Sequence, residues 1–187
     1  MSKSLVVLGF ITSMLPVVSL AQVSTQKPVV SESVVRGDDG KVVVSVPEKP
    51  SAEIDMQGGP KPQWIWRAKE SFNNEQIIVT KTVKVDSVRA SLSASCDNSM
   101  IVSINGRKVL TDQSWESASH LNIQKYLKPG ANEFRFECSN EGSVAGLVVK
   151  LGFKDKEGKV TYVISDSSWS VSKKDTPDQQ TAAVELG

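Results

Sequence analysis

The stretch VRASLSASCDNSMIVSING, which runs from residue 88 to residue 106, decides the fold class of this chain. Apolar or small side chains recur at every second position in both of its halves, at Leu92, Ala94, Cys96, Met100, Val102 and Ile104. This period of two predicts β-strands that each have one buried and one exposed face. Asn105-Gly106 is typical of a two-residue hairpin turn, because both residues tolerate a positive φ. The stretch therefore predicts an antiparallel all-β module, with Asp97-Asn98-Ser99 as the polar corner of a hairpin.

Other alternating runs along the 187-residue chain predict a single β-sandwich. The length suits one well-buried domain and is short for two. Between Leu121 and Leu127 the apolar side chains are unevenly spaced, which predicts a short turn or a single helical turn that crosses from one sheet to the other. Several short strands separated by turn residues are typical of a sandwich. The further strands that we expect are Gln76–Val85, Arg107–Leu110, Asn132–Ser139, Leu147–Lys154, Val160–Ser165 and Trp169–Ser172.

Order is expected to begin at Trp64-Ile65-Trp66. Two tryptophans two positions apart lie on the same face of a strand. They form either a pair of core anchors or a paired aromatic platform on the surface. Because large aromatic side chains mostly serve burial, the core interpretation is favoured.

Residues 1–21 have the features of a secretory signal peptide. Lys3 gives a positive start, Leu5–Val18 form an apolar run, and Ser19-Leu20-Ala21 place small residues before a cut ahead of Gln22. The alternative is a buried strand or an uncleaved anchor, but the run is short for a helix that spans a bilayer. We expect a secreted or periplasmic protein with no membrane span after cleavage.

Composition divides the remainder of the chain into three parts. Residues 22–62 are rich in Val, Ser, Lys, Glu and Pro with glycine interruptions, so they are predicted to form a flexible, disordered linker. Residues 63–173 are predicted to form the β-sandwich. Residues 174–187 are polar and are predicted to form a flexible tail.

Composition also argues against two classes of function. The formal net charge of +1 provides no general attraction to nucleic acid. The single histidine, His120, lies on a predicted polar loop, and no carboxylates are patterned as a catalytic pair. We therefore expect a protein that is not an enzyme and has no cofactor. A structural calcium ion is compatible with the chain, but no motif specifies metal ligands.

The two cysteines are predicted to face the interior. Cys96 shares its strand face with Leu92 and Ala94, and Cys138 shares its face with Phe136. In an oxidising compartment such a pair is expected to be bridged, whereas in a reducing one it would remain as free core thiols. A bridge that closes a loop of about 40 residues stabilises a fold by roughly 3 to 4 kcal/mol if its geometry is relaxed.

Short motifs between residues 63 and 172 occur in an order and spacing typical of one family. They are Trp64-Ile65-Trp66, Ala94 to Asn98, Val102 to Gly106, Tyr126 to Gly130, Asn132 to Asn140, Ala145-Gly146-Leu147 and Ser165 to Trp169. Together they resemble the galactose-binding-domain-like β-sandwich, in particular modules of bacterial glycoside hydrolases and of large secreted proteins from planctomycete-type bacteria. The resemblance implies a jelly-roll-like antiparallel β-sandwich in which loops at one end hold ligands and sometimes calcium.

The chain departs from the family pattern at two positions. Cysteine replaces a small residue at Cys96 and again at the matching position, Cys138. Coincident replacement at two strand ends is what a bridged pair requires, so the comparison with the family adds to the expectation of a Cys96–Cys138 disulfide.

Five residues are the candidate ligand-binding set, Asp97, Asn98, Trp115, Asn140 and Glu141. The polar corners Asp97-Asn98-Ser99 and Asn140-Glu141-Gly142-Ser143 each follow a cysteine that is predicted to point inward. The two corners therefore converge if the two cysteines meet. Asp and Asn side chains hydrogen-bond sugar hydroxyls, and an indole stacks on a pyranose face. The alternative, which we favour on frequency, is that the polar side chains satisfy turn backbone and Trp115 plugs the end of the core.

These observations predict a non-catalytic, exported binding module whose partner is a glycan. The other interpretation is a structural or protein–protein interaction module of the periplasm or cell surface that contacts a cell-surface protein.

Overall fold

The computed structural model describes residues 34–36, 42–44, 53–142 and 144–187. The chain divides into two compact units, Met1–Ser51 and Ala52–Gly187. In the first unit, β1 (Val34–Arg36) pairs antiparallel with β2 (Val42–Val44). The predicted signal peptide lies outside the described residues, as does most of the predicted linker. Within the described ranges, no helix has the length and apolarity that a bilayer crossing requires.

The second unit is a sandwich of two six-stranded sheets. Its strands are β3 (Ile65–Trp66), β4 (Glu75–Val85), β5 (Arg89–Asp97), β6 (Ser99–Ile104), β7 (Arg107–Asp112), β8 (Ser119–Asn122), β9 (Gly130–Asn140), β10 (Gly146–Lys154), β11 (Val160–Ile164), β12 (Ser170–Lys173), β13 (Thr181–Ala182) and β14 (Val184–Glu185). The first sheet has the order β14-β3-β10-β5-β8, with β11 also paired to β10, and the second has the order β13-β12-β4-β9-β6-β7. The predicted antiparallel all-β sandwich is confirmed.

The core lies between the sheets and is built from the alternating side chains of the central strands. In β5, Leu92, Ala94 and Cys96 are buried, as the period of two predicts. Phe134 of β9 and Phe153 of β10 form an edge-to-face pair between the two sheets, with ring centroids 6.3 Å apart. A second edge-to-face pair joins Phe136 of β9 to Trp169, which lies just before β12. Each such pair contributes about 0.5–1.5 kcal/mol beyond the burial of its surface.

The predicted turn at Asn105-Gly106 is confirmed. Asn105 has φ of 52° and Gly106 has φ of 77°, the two positive values that a type I′ turn requires, and the turn joins β6 to β7. The corner at Asp97-Asn98-Ser99 differs from its prediction. It joins β5 in the first sheet to β6 in the second, so it crosses the sandwich instead of closing a hairpin.

The crossing after β8 agrees with the sequence. A 3-10 helix spans Gln124–Tyr126 between β8 in the first sheet and β9 in the second. Ile123 immediately before it is fully buried. His120 lies on strand β8 opposite Ser93 and not on a polar loop, because β8 begins at Ser119 and the loop before it ends at Ala118.

Residues 53–62, which we call the strap, lie against the first sheet, although the sequence assigns them to the flexible linker. Ile54 is buried, and the Tyr162 hydroxyl donates a 2.6 Å hydrogen bond to the Asp55 carbonyl oxygen. The Lys150 ammonium donates to the Gly58 carbonyl oxygen. These contacts run between residues about 90 to 110 positions apart, so the local composition of the strap does not predict them.

Residues 174–187 also differ from the predicted flexible tail. β13 pairs with β12 at the edge of the second sheet, and β14 pairs with β3 at the edge of the first. Ala183 between them is 4% exposed. The tail is held mainly by backbone hydrogen bonds, which polar sequences supply as readily as apolar ones.

Candidate functional site

The two polar corners converge, as the sequence predicts. The backbone N–H of Asn98 donates to the Ser139 carbonyl oxygen at 2.9 Å. The backbone N–H of Glu141 donates to Asn98 Oδ1 at 2.6 Å. The two corners therefore form one connected surface at the same end of the sandwich.

That end, which we call the loop end, consists of the connections that follow β3, β5, β7 and β9. The strand register places them together, because Glu75 pairs with Asn140, Asp97 with Gly146, and Met100 with Asp112. All five predicted ligand-binding residues lie in these connections or at the strand ends beside them.

Two of the five predicted residues serve the local backbone. Asn140 is 1% exposed, and its Nδ2 donates to the carbonyl oxygens of Phe72 at 3.0 Å and Gly142 at 2.7 Å. Its Oδ1 accepts from the Gly142 backbone N–H at 3.1 Å. The Asn98 carboxamide oxygen accepts from Glu141. Both amide side chains thus hold the loops in place, whereas Asp97 is half-buried and Glu141 is exposed.

Trp115 is on the surface, so it does not plug the core. Its side chain is 53% exposed, and its carbonyl oxygen accepts a 2.9 Å hydrogen bond from Ser95 Oγ. Asp112 closes the loop that carries it, accepting from the Ser114 backbone N–H at 3.0 Å and from the Ser119 hydroxyl. The Ser119 hydrogen bond is the main cause that lowers the pKa of Asp112 below its ordinary value. The indole is therefore presented to solvent by an anchored loop.

Trp64, just before β3, and Trp66, within β3, have different environments. Trp66 is fully buried, and its Nε1 donates a 2.8 Å hydrogen bond to Glu75 Oε2, as the core interpretation requires. Trp64 is 37% exposed, so the prediction of two core anchors is wrong for it. Its ring lies over Gly146, where an added Cβ would approach Trp64 Cε3 to 2.8 Å. Because Gly146 pairs with Asp97, Trp64 reaches the polar corner from the side opposite Trp115.

Glu75 fixes the beginning of β4 beside the loop end. Burial acts to raise the pKa of this carboxyl group, but the hydrogen bonds from Trp66 and Arg67 outweigh it and lower the pKa. The Arg67 guanidinium lies 2.6 Å from Glu75 Oε1. The connection after β3 is therefore tied to the core at both of its ends.

Exposed apolar side chains concentrate at the loop end. Five large apolar side chains are exposed in the part of the chain that the structure describes, and four of them lie in the connections of the loop end or directly beside them. The four are Trp64, Phe72, Trp115 and Val144, whereas Val88 lies at the opposite end. Sequence reasoning placed only Trp115 in the candidate ligand-binding set and gave a surface platform at Trp64 as the less favoured alternative, because exposure depends on how distant loops meet. A cluster of exposed apolar side chains beside polar groups marks an interaction site.

Cys96 on β5 and Cys138 on β9 lie in the core beneath this surface, and each side chain points toward the strand that carries the other. Each is 1% exposed, and both are free thiols. Burial raises the pKa of the Cys138 thiol well above its ordinary value, and the neighbouring Cys96 adds to that shift. The predicted disulfide stays a prediction. Among the described residues, no group of three or more His, Cys, Asp or Glu side chains is arranged to hold a metal ion.

No protein-family model matches the chain, and no curated protein matches it. Solved structures do match it. An α-L-rhamnosidase from Streptomyces avermitilis, in complex with L-rhamnose, is 22% identical with a TM-score of 0.59, and the match covers 69% of this chain and 15% of the rhamnosidase. A lectin from Pleurotus ostreatus, in complex with GalNAc, is 18% identical with a TM-score of 0.60, and the match covers 68% of this chain and 43% of the lectin.

The match therefore spans less than half of the lectin and a small part of the rhamnosidase. At these identities the similarity concerns the fold alone. It confirms that the chain has the β-sandwich fold that its resemblance to galactose-binding-domain-like modules implied.

Proposed function

We propose that this protein is a non-catalytic glycan-binding module whose ligand contacts the loop end. Trp115 stacks on the apolar face of a sugar ring, and the Asp97 carboxylate accepts hydrogen bonds from sugar hydroxyls. The observation that carries the proposal is the 53% exposure of an indole anchored through Ser95, two residues before the polar corner.

The chemistry of the surface supports a sugar better than a purely apolar or purely charged partner. A pyranose has an apolar face and a rim of hydroxyl groups, so it needs an aromatic surface next to hydrogen-bonding groups. The loop end offers Trp115 and Trp64 on either side of Asp97. The fold neighbours named above, one in complex with L-rhamnose and the other with GalNAc, add support because they show that related sandwiches occur in sugar-binding proteins.

The test is glycan binding by the purified chain and by two variants. We expect binding to a glycan array or to L-rhamnose or GalNAc in calorimetry, and a loss of affinity of about tenfold or more in Trp115→Ala, which corresponds to about 1.4 kcal/mol. Val88→Ala removes an exposed apolar side chain at the opposite end and serves as the control, with affinity expected to remain unchanged. Absence of binding to any sugar at millimolar concentration would refute the proposal.

We further propose that the protein is exported and that residues 1–21 are removed. The support is the order of positive start, apolar run and small residues in that segment. When the full chain is expressed in a bacterium with a periplasm, the mature protein is expected in that compartment with Gln22 at its N-terminus. Mass spectrometry that finds the intact chain in the cytoplasmic fraction alone would contradict export.

A further inference from the structure

The outer face of the first sheet continues from the loop end along the full length of β5. Residues that alternate with the core positions of β5 point to this face, and the register aligns them with residues of neighbouring strands. The rows are Asp97 with Gly146, Ser95 with Val148, Ser93 with Lys150 and His120, and Ser91 with Gly152 and Asn122. The face is therefore small and polar in its middle, with exposed tryptophans at one end.

The strap forms one wall of this face. Side chains of the strap lie directly over Gly152, where an added Cβ would come within 2.7 Å of Ile54 Cγ2 and 2.9 Å of Met56 Sδ. The Lys150 ammonium holds the strap at the Gly58 carbonyl oxygen and also lies 4.7 Å from the Tyr162 ring centroid. The strap is thus fixed along the β10 and β11 side of the face. Ser91 and Ser93 of β5 are half-exposed beside it, whereas Ser95 is buried beneath the loop of Trp115.

Two cavities lie between the strap and β8. One of about 350 Å³ is lined by Lys61, Ser93, Ala118 and Val148, and the next, of about 360 Å³, is lined by Glu53, Arg89, Ser91 and Asn122. Met56 and His120 line both cavities, so the two are adjacent. We call these two adjacent cavities the trough.

The trough has the length and the chemistry of a site for a chain of sugars. The β5 residues that line it run from Arg89 to Ala94, an advance of five positions, which is about 16 Å at the rise of an extended strand. Ser91, Ser93, Asn122 and His120 place hydrogen-bonding groups along it at intervals, as repeated hydroxyl groups require. The mixture of polar and apolar lining suits a glycan better than an apolar peptide or lipid.

We propose that the ligand is a linear oligosaccharide or polysaccharide that lies in the trough along β5, with one end stacked on the tryptophans of the loop end and the other reaching Arg89. This inference rests on the proposed function and specifies its ligand as an extended chain. Trp64 then acts as a second stacking ring. The Trp64 ring lies over Gly146, which pairs with Asp97, whereas the Trp115 carbonyl oxygen accepts a hydrogen bond from Ser95. Gly146 and Ser95, the two places on the sheet where the tryptophans are held, are therefore about 8 Å apart.

The test measures affinity as a function of chain length. Linear oligosaccharides of one to eight L-rhamnose units, and a matching series of GalNAc units, are titrated into the full chain by calorimetry. We expect affinity to rise at least tenfold between one and about six units. Arg89→Ala is expected to reduce affinity for the long members about fivefold and to leave the monosaccharide unaffected, because only a long chain reaches that residue.

Two further variants control for indirect effects. Lys84→Ala removes an exposed cationic side chain from the second sheet and is expected to change nothing. Ser93→Tyr fills the middle of the trough and is expected to reduce the affinity of long chains to that of the monosaccharide, with Arg89→Ala deciding the question if Ser93→Tyr does not fold.

The outcomes separate the two proposals. If affinity depends on Trp115 but not on chain length or on Arg89, the trough is not the site and only this inference fails. If no member of either series and no glycan of an array binds, the proposed function fails and the inference fails with it.

Discussion

The hydrogen bond between Trp66 and Glu75 provides a quantitative test of how the loop end is tied to the core. In Trp66→Phe, the buried carboxylate loses its 2.8 Å donor and retains Arg67 and the backbone hydrogen bond from Phe72. A hydrogen bond to a charged group contributes about 1.5–3 kcal/mol, and the missing part of the ring adds about 1–2 kcal/mol of lost burial. We expect the free energy of unfolding to fall by about 3 to 5 kcal/mol in total.

The pH dependence of that loss identifies its cause. Because the pKa of Glu75 is lower in the folded protein than its ordinary value of 4.5, the carboxylate contributes stability above that value, and this contribution disappears as the pH falls through the folded pKa. In Trp66→Phe the folded pKa rises toward the ordinary value. The difference in stability between the two proteins is therefore expected to shrink as the pH falls below 4.5 and through the lower pKa of Glu75 in the folded wild type.

Urea denaturation at several pH values measures both effects. Glu75→Gln, alone and combined with Trp66→Phe, completes a double-mutant cycle, in which we expect a coupling energy of about 1 kcal/mol or more. A difference between wild type and Trp66→Phe that stays constant from pH 7 to pH 3, together with zero coupling, would show that the indole contributes packing only.

Three further predictions concern the surface and the core beneath it. Under oxidising conditions Cys96 and Cys138 are expected to form a disulfide that stabilises the fold by roughly 3 to 4 kcal/mol, and two thiols that still react with a thiol reagent in the unfolded, air-oxidised protein would contradict it. Gly146→Ala is expected to displace the Trp64 ring and shift its fluorescence without unfolding the sandwich, because the new Cβ would lie 2.8 Å from Cε3; an unchanged emission spectrum would show that the ring does not rest there. Asp112→Asn is expected to weaken glycan binding a few-fold, because it loosens the loop that carries the indole. Binding by the wild type is expected to weaken in the same way only as the pH falls through the lowered pKa of the Asp112 carboxyl group. Equal affinities of the two proteins at pH 7 would contradict this role of Asp112.

The local patterns in the sequence predicted those features of the fold that depend on residues close together in the chain. Alternation in residues 88–106 predicted the strands and the inward cysteines, and Asn105-Gly106 predicted a turn with positive φ at both residues. The convergence of the Asp97 and Asn140 corners also followed, because it depends on two strand ends that the cysteines mark.

The properties that the sequence did not predict depend on distant contacts. Whether Trp64 or Trp66 is buried depends on Gly146 and Glu75, which lie on other strands. The same holds for the strap, whose ordering requires Tyr162 and Lys150. A single sequence gives no information about such partners, so exposed and buried positions of the same chemical type cannot be distinguished from it.

The pairing of β3 has a consequence for how the protein folds. Ile65 pairs with Leu147 and with Glu185, so this short strand has partners that are separated from it by more than half of the described chain. Contacts of this kind require the closure of long loops and form slowly. The position of Trp64 beside β3 is therefore expected to be established late in folding, after the hairpins of both sheets. Its fluorescence in stopped-flow refolding should then follow the slowest phase, and the loop end would be among the last parts of the molecule to assemble.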